Sequence, residues 1–114
     1  MKKIILAFFS LLAPLCSATT VVNNSNIPGK IEFYKCGNNG TCYYDQYRNV
    51  KGKSQENIKL DPKKIYVIEF SFHPDKNAFQ SFETAISGRS SCKITAFRKN
   101  NGLDLKLNNA CRNY

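Results

Sequence analysis

The sequence predicts a small, mainly β domain: an antiparallel β-sandwich or compact barrel stapled by disulfides. Short apolar segments with a period of two alternate with turn residues along the chain, as in small all-β domains. With 114 residues, 42% of them hydrophobic and 22% charged, the chain suffices for one folded domain and is too short for a TIM barrel or a complete dinucleotide-binding fold. Four cysteines follow residue 18, and an even number of cysteines in a short chain is typical of a disulfide framework.

The first 18 residues have the three parts of a secretory signal peptide. Two lysines form a positive start, an uncharged and mostly apolar run extends from Ile4 to Leu15, and Ala18 is a small residue before a cut at Thr19. The apolar run is too short for a transmembrane anchor, which needs about 20 apolar residues. We expect a cleaved leader over 1–18 and a single secreted or periplasmic domain over 19–114.

The mature chain contains four cysteines, which predict two disulfides. They are Cys36, Cys42, Cys92 and Cys111. A three-residue loop at 38–40 places Cys36 opposite Cys42, and directly opposed residues lie about 4.5–5.5 Å apart, within disulfide reach. The spacings lack the close Cys-x-x-Cys pairs of zinc sites. We therefore expect Cys36–Cys42 and Cys92–Cys111, with no metal or other cofactor.

The second pairing follows from a predicted hairpin. With Asn101-Gly102 as a two-residue loop, Ala96 faces Leu107 and Cys92 faces Cys111. The apolar residues of both segments then share one face, and a slip by one residue would break that agreement.

Four further segments alternate as strands do, and they are 19–23, 30–35, 57–60 and 64–72. The last is apolar on both faces, which favours a central strand. His73 follows it in a predicted loop.

Residues 75–87 have the pattern of a short helix. Five apolar residues fall at helical spacing, namely Ala78, Phe79, Phe82, Ala85 and Ile86. Gly88 is placed to cap the helix, and a strand would have its alternation broken at Phe79. We expect one short helix here, covering an edge of the β-structure.

The charge balance is strongly basic. The chain has 17 Lys+Arg against 8 Asp+Glu, a formal charge of +9, which falls to +7 once the leader's two lysines are removed. Most basic residues lie in two stretches, 48–64 and 89–112. On one side of a sheet they would form a positive patch for phosphate, sulfate or anionic lipid headgroups. The alternative is a solvated lysine-rich surface that keeps edge strands soluble.

The candidate binding site combines aromatic and basic side chains that are close in sequence: Tyr43, Tyr44, Tyr47, Arg48, Lys51 and Lys53. Exposed tyrosines beside arginine serve as stacking groups or binding hot spots, although tyrosines also pack half-buried with a solvated hydroxyl. The polar run Arg48 to Gln55 predicts an exposed, adaptable loop. The expected partner is an anionic glycan, a lipid headgroup or a protein.

Catalytic motifs are absent from the sequence. It has no Gly-x-Ser-x-Gly elbow, phosphate loop or His-Glu-x-x-His motif. Its single histidine, His73, would need Asp75 to orient it as a general base. We therefore expect an exported, non-catalytic binding module, with two alternatives: a small secreted hydrolase or nuclease using His73, and an enzyme inhibitor.

Two tripeptides, Asn23-Asn24-Ser25 and Asn39-Gly40-Thr41, match the N-glycosylation pattern. The leader is compatible with bacterial and with eukaryotic export, so the pattern alone assigns them no role.

Overall fold

A computed structural model describes residues 18–75, 78–89, 91–100 and 102–112. The predicted leader lies outside the described residues, except Ala18, which opens the first strand. In chain order the elements are β1 (Ala18–Asn23), β2 (Gly29–Cys36), β3 (Cys42–Val50), β4 (Ser54–Lys59), β5 (Ile65–Asp75), β6 (Ala78–Ser87), β7 (Lys93–Lys99), β8 (Gly102–Leu107) and a 3-10 helix (Asn109–Arg112).

The strands form two four-stranded sheets that pack on each other. The first sheet has the order β4-β1-β7-β8 and the second has the order β3-β2-β5-β6. Every pair in the second sheet is antiparallel, whereas the first sheet contains the parallel pair β1–β7. The predicted mainly β, sandwich-like class is therefore confirmed.

The core lies between the inner faces of the two sheets. The first sheet contributes aliphatic residues such as Val21 and Ile94, and the second contributes aromatic rings. Phe70 and Phe72 stack with their centroids 4.4 Å apart. A Cβ on Gly29 would lie 2.6 Å from Phe72 Cε2, so β2 crosses these buried rings closely only because this residue is glycine.

The predicted helix over 75–87 is wrong, because Ala78–Ser87 forms β6 and pairs antiparallel with β5. Phe82 and Ile86 are four residues apart, a spacing that suits one helix face and also one strand face. The central strand β5 needs hydrogen-bonding partners along both edges, and this requirement overrides the helical pattern. Gly88 caps no helix; a Cβ there would collide with the backbone oxygen of Asp61.

The β7–β8 hairpin differs in register from the prediction. Lys99 pairs with Gly102 and Ala96 pairs with Leu105, so Gly102 belongs to β8 and the predicted Asn101-Gly102 turn is wrong. Asn100 adopts φ = 54°, which asparagine tolerates at the first turn position. The shift is by two residues, which keeps the predicted residues on the same face.

Both predicted disulfides are confirmed. Cys36 and Cys42 lie directly opposite each other, with Cα atoms 3.9 Å apart. Cys92 and Cys111 are fully buried, with Cα atoms 4.4 Å apart. Cys111 reaches its partner from the 3-10 helix rather than from β8. Free-thiol chemistry is therefore excluded for these four residues.

Two predicted loops are strands instead. β3 continues through Val50 and β4 begins at Ser54, so the expected loop from Arg48 to Gln55 shrinks to three residues. His73 lies within β5 rather than in a loop after it. In both places the polar side chains lie at edge or terminal strand positions, where solvent can reach them.

A buried asparagine organises the connection between β1 and β2. Asn23 Nδ2 donates to the Ile27 oxygen at 2.8 Å and to the Val50 oxygen at 3.4 Å. Its Oδ1 accepts from Ser25 N at 3.0 Å and Ser25 Oγ at 2.6 Å. Because Asn23 is completely buried and its amide is fully engaged, the first glycosylation tripeptide has a structural role in the folded domain.

Thr19 supplies a test of the core. Its Oγ1 is buried and has no hydrogen-bond partner among the described residues, an arrangement that costs about 1–3 kcal/mol. Thr19→Val keeps the shape and removes the polar atom, so we expect the free energy of unfolding to rise by about 1 kcal/mol in urea titration. Thr20→Val is the control, because its Oγ1 donates to Asn57 Oδ1 at 3.1 Å. Destabilisation by Thr19→Val would contradict the conclusion that the buried Thr19 hydroxyl lacks a hydrogen-bond partner.

Candidate binding surfaces

The predicted site residues lie along β3, an edge strand, and in the turn that follows it. Tyr43, Tyr44 and Tyr47 are 71%, 53% and 48% exposed. Tyr43 is mostly exposed, whereas Tyr44 and Tyr47 are about half-buried, which fits the alternative of tyrosines that pack with a solvated hydroxyl. Part of each ring still remains available to a partner.

A β-bulge brings two of these tyrosines to one face. Phe33 pairs with Gln46 while the next residue, Tyr34, pairs with Tyr44, so Asp45 is the extra residue. Residues three apart point to opposite faces of a regular strand. Because of the bulge, Tyr44 and Tyr47 share the outer face of the second sheet, where Tyr44 packs edge-on against Tyr34 at 5.7 Å.

The predicted cations do not join them. Arg48 pairs with the buried Ile31, so it points to the other face, and its Nη1 donates to the Tyr47 backbone oxygen at 3.0 Å. Lys51 and Lys53 lie in the turn between β3 and β4, roughly 25 Å from Tyr43 at about 3.3 Å per residue. The structure therefore does not bring the six predicted residues together on one face.

Acidic residues surround the tyrosines instead. Glu32, Glu69 and Glu83 lie directly opposite one another on β2, β5 and β6, all on the outer face of the second sheet. Tyr47 extends this row on β3. We call this surface the tyrosine–glutamate face, and its residues are Glu32, Tyr34, Tyr44, Tyr47, Glu69 and Glu83.

The electrostatics of this face are negative. The charge of Glu32 raises the pKa of the Tyr34 hydroxyl, with smaller contributions from burial and then from Glu69. Lys30 offsets part of the charge, since its Nζ lies 3.8 Å from Glu32 Oε2 and 5.1 Å from the centroid of the Tyr47 ring. An anion is therefore disfavoured beside these tyrosines.

The outer face of the first sheet carries the opposite charge. A cleft of about 560 Å³ opens there, lined by Asn24, Lys93, Thr95, Phe97, Lys106 and Asn108; we call it the lysine cleft. Lys93 and Lys106 are exposed on adjacent strands, and Lys106 pairs with Thr95. Thr95 and Phe97 follow Lys93 on the same face of β7 and are partly buried. None of the described residues that line the cleft is acidic.

One wall of the lysine cleft is fixed by hydrogen bonds and a disulfide. Asn108 Nδ2 donates to the Ser91 oxygen at 2.7 Å, and Asn108 Oδ1 accepts from Lys93 N at 2.9 Å. The Cys111 amide donates to the Asn108 oxygen at 3.1 Å, and the Cys92–Cys111 bridge ties this segment to the start of β7. The cleft is thus largely preformed.

A second cleft, of about 460 Å³, lies at the Gly29 end of the second sheet. It is lined in part by Lys30, Lys51 and His73, whose ring lies 4.9 Å from that of the exposed Phe79. The Asp75 side chain, the predicted orienting group for His73, lies outside the described part of the structure. The hydrolase alternative stays a prediction, and His73→Ala with Asp75→Ala tests it on RNA and glycan substrates.

The lysine cleft was only partly predictable. Lys93, Thr95 and Phe97 alternate in sequence as one face of a strand does, and the basic stretch 89–112 contains both cleft lysines. The sequence does not indicate that Lys106 lies beside Thr95, because that pairing depends on the hairpin register.

In the part of the chain that the structure describes, no three His, Cys, Asp or Glu residues are grouped to hold a metal ion. No helix within the described ranges is long and apolar enough to span a membrane. Comparison of the chain with protein-family models, curated proteins and solved structures finds no match. The assignment of a function therefore depends on the chemistry of these surfaces.

Proposed function

We propose that this protein is an exported, non-catalytic binding module that holds an anionic glycan in the lysine cleft. The function is the one predicted from the sequence, a non-catalytic binding module, but the proposed binding site is different. The ligand meets the outer face of the first sheet instead of the tyrosines and cations of the 43–53 segment.

The main support for this binding site is the uncompensated positive charge of the lysine cleft. Lys93 and Lys106 are exposed on one face, and the described residues lining the cleft include no carboxylate. The acid closest in register, Asp104, pairs with Phe97 on the same face but forms an ion pair with Lys99 at 3.6 Å. The two cleft lysines are therefore free to meet a sulfate or carboxylate group.

The remaining groups suit a sugar. The exposed Asn24 provides an amide for hydroxyl groups, and Phe97 with Thr95 provides a partly apolar floor. The volume of about 560 Å³ lies within the range of about 300–1,000 Å³ typical of ligand sites. An open cleft on a sheet face also leaves room for the rest of a polymer to extend in both directions.

Export is part of the proposal. Two disulfides in a small domain are typical of secreted or periplasmic proteins, because cytosolic thiols are kept reduced. This supports the leader predicted over 1–18 without depending on it. Mass measurement of the mature native protein tests the leader, since an intact Met1 would overturn its cleavage.

A charge-reversal comparison tests the site. We expect Lys93→Glu with Lys106→Glu to elute from a heparin column at much lower salt than the wild type and to lose at least about tenfold in affinity, or about 1.4 kcal/mol. Attraction between exposed charges is screened within about 8 Å at physiological ionic strength, so wild-type retention should fall steeply as salt rises.

Lys51→Glu with Lys53→Glu is the matched control, because it changes the net charge equally and lies in the β3–β4 turn. This control should elute close to the wild type, and thermal unfolding should verify that both variants fold. Equal losses in the two variants would mean that only net charge matters. A larger loss in the turn variant would return the site to the 43–53 segment.

A further inference from the structure

We propose that the tyrosine–glutamate face is a docking surface for the lysine cleft of a second copy of this chain. The association joins two different faces of the sandwich, so it is head-to-tail. The association does not depend on the proposed glycan ligand, because it involves only charged side chains of the protein itself.

The row of glutamates is the first reason. Like charges directly opposite on neighbouring strands destabilise a sheet, and Glu32, Glu69 and Glu83 are opposed in this way. Lys30 approaches Glu32 at 3.8 Å, and Ser81 Oγ donates to Glu69 Oε2 at 3.1 Å. Among the described residues, Glu83 forms no ion pair. Cations arriving from outside would therefore be stabilised along this row.

The tyrosines are the second reason. Tyr44 and Tyr47 are about half exposed and border the glutamate row, which gives this face large rings beside its charges. Tyrosine is enriched in binding hot spots, and its ring attracts ammonium groups. Lys30 Nζ already lies 5.1 Å from the centroid of the Tyr47 ring, so this ring lies where a lysine can reach it.

The opposite face of the same molecule supplies the matching chemistry. Lys93 and Lys106 are exposed there, and Lys59 lies on the same outer face at the edge strand β4. Both faces are four strands wide, but the strands of the second sheet are longer. At about 4.8 Å per strand and 3.3 Å per residue, the outer face covers roughly 400 Å² on the first sheet and roughly 600 Å² on the second. The smaller face limits the total buried area to roughly 800 Å², below that of stable specific interfaces, so the association is weak.

Head-to-tail contacts leave one face of each kind free at the ends, so they continue into chains or close into a ring. The lysine cleft is covered in every copy except the last of a chain. A soluble anionic glycan would then compete with the second copy, so ligand binding and assembly exclude each other.

Sedimentation velocity on the purified protein tests the proposal. At low ionic strength and high protein concentration, we expect wild-type species larger than a monomer that dissociate as salt is raised. Glu69→Lys with Glu83→Lys removes the acidic face, and Lys93→Glu with Lys106→Glu removes the basic face. Each variant alone should weaken association at least about tenfold. Retention of the first variant on heparin should be at least as strong as that of the wild type, because the variant gains positive charge. Weaker association without weaker heparin binding separates this proposal from the glycan site.

The mixture of the two variants is the decisive sample. The lysines placed on one variant face the glutamates placed on the other, so association should return in the mixture. Each double reversal changes by four units the formal charge of +7 that remains once the leader's two lysines are removed, to +11 and +3, so the net charges still repel. Recovery therefore reports complementary faces and shows that both variants are folded. A wild type that stays monomeric at low salt, a variant that associates like the wild type, or a monomeric mixture would overturn the proposal.

Discussion

Replacing Cys92 and Cys111 together by alanine should lower the free energy of unfolding by about 3 kcal/mol, as measured by guanidinium titration. The bridge spans a sequence separation of 19 residues, and closing a loop of that length removes about this much free energy from the unfolded state. Both cysteines are completely buried, so the loss of their sulfur atoms also removes packing. Much of the stability of such a small domain would disappear.

The Cys36–Cys42 pair provides the comparison. Its sequence separation is 6 and its two cysteines are only half-buried, so its removal should cost less, about 2 kcal/mol. The larger loss should also be accompanied by weaker heparin binding, because the Cys92–Cys111 bridge fixes one wall of the lysine cleft. Equal stability losses from the two double replacements would contradict the account of which bridge holds the core.

Asn23→Ala should destabilise the domain by about 2–4 kcal/mol. The change removes one side chain that satisfies two backbone carbonyls and both donors of Ser25. Ser25 is itself 1% exposed, so water cannot replace the lost partner, and each unsatisfied buried group costs about 1–3 kcal/mol. Thermal and urea unfolding measure the loss.

Asn24→Ala is the matched control, since Asn24 is the exposed neighbour of Asn23 and substitutions at such sites change stability by about 0.5 kcal/mol or less. Similar effects at the two positions would mean that the buried amide does not hold this turn. Asn23→Asp keeps the acceptor but places a buried carboxylate oxygen against the Ile27 and Val50 carbonyl oxygens, so at neutral pH it should destabilise the domain at least as much as Asn23→Ala.

The sequence predicted the features that depend only on the alternation of side chains along one strand. It missed the features that depend on which strands pair with each other. In the β7–β8 hairpin, the register is displaced by two residues, yet Ala96 and Leu105 still share the predicted face because the side-chain period is two. The Cys92–Cys111 bridge tolerates the displacement because the 3-10 helix carries Cys111 back to β7.

The prediction of a helix over 75–87 is wrong for a different reason. Phe82 and Ile86 satisfy both periodicities, and only the exposed edge of β5 decides between them. That edge belongs to the preceding strand β5, which pairs with β6 from Asp75–Ala78 onward. The deciding information therefore lies just outside the 75–87 window whose periodicity favoured a helix.

The grouping of Tyr44 and Tyr47 on one face depends on a single inserted residue. Without the bulge at Asp45, Tyr44 and Tyr47 would lie on opposite faces, and nothing in the sequence indicates the bulge. The separation of charge between the two outer faces is similarly hidden, because Glu32, Glu69 and Glu83 are far apart in the chain and meet only through strand pairing.

The binding claim is tested most directly by mapping amide chemical-shift changes in nitrogen-15-labelled protein during titration with a heparin oligosaccharide. Strands β7 and β8 should respond first, with the largest changes at Lys93, Thr95, Phe97 and Lys106. The amides of Tyr44 and Tyr47 should stay nearly unchanged, because the glutamates beside them repel the ligand. Changes concentrated on Tyr44, Tyr47 and the β3–β4 turn, with β7 and β8 unaffected, would contradict the account.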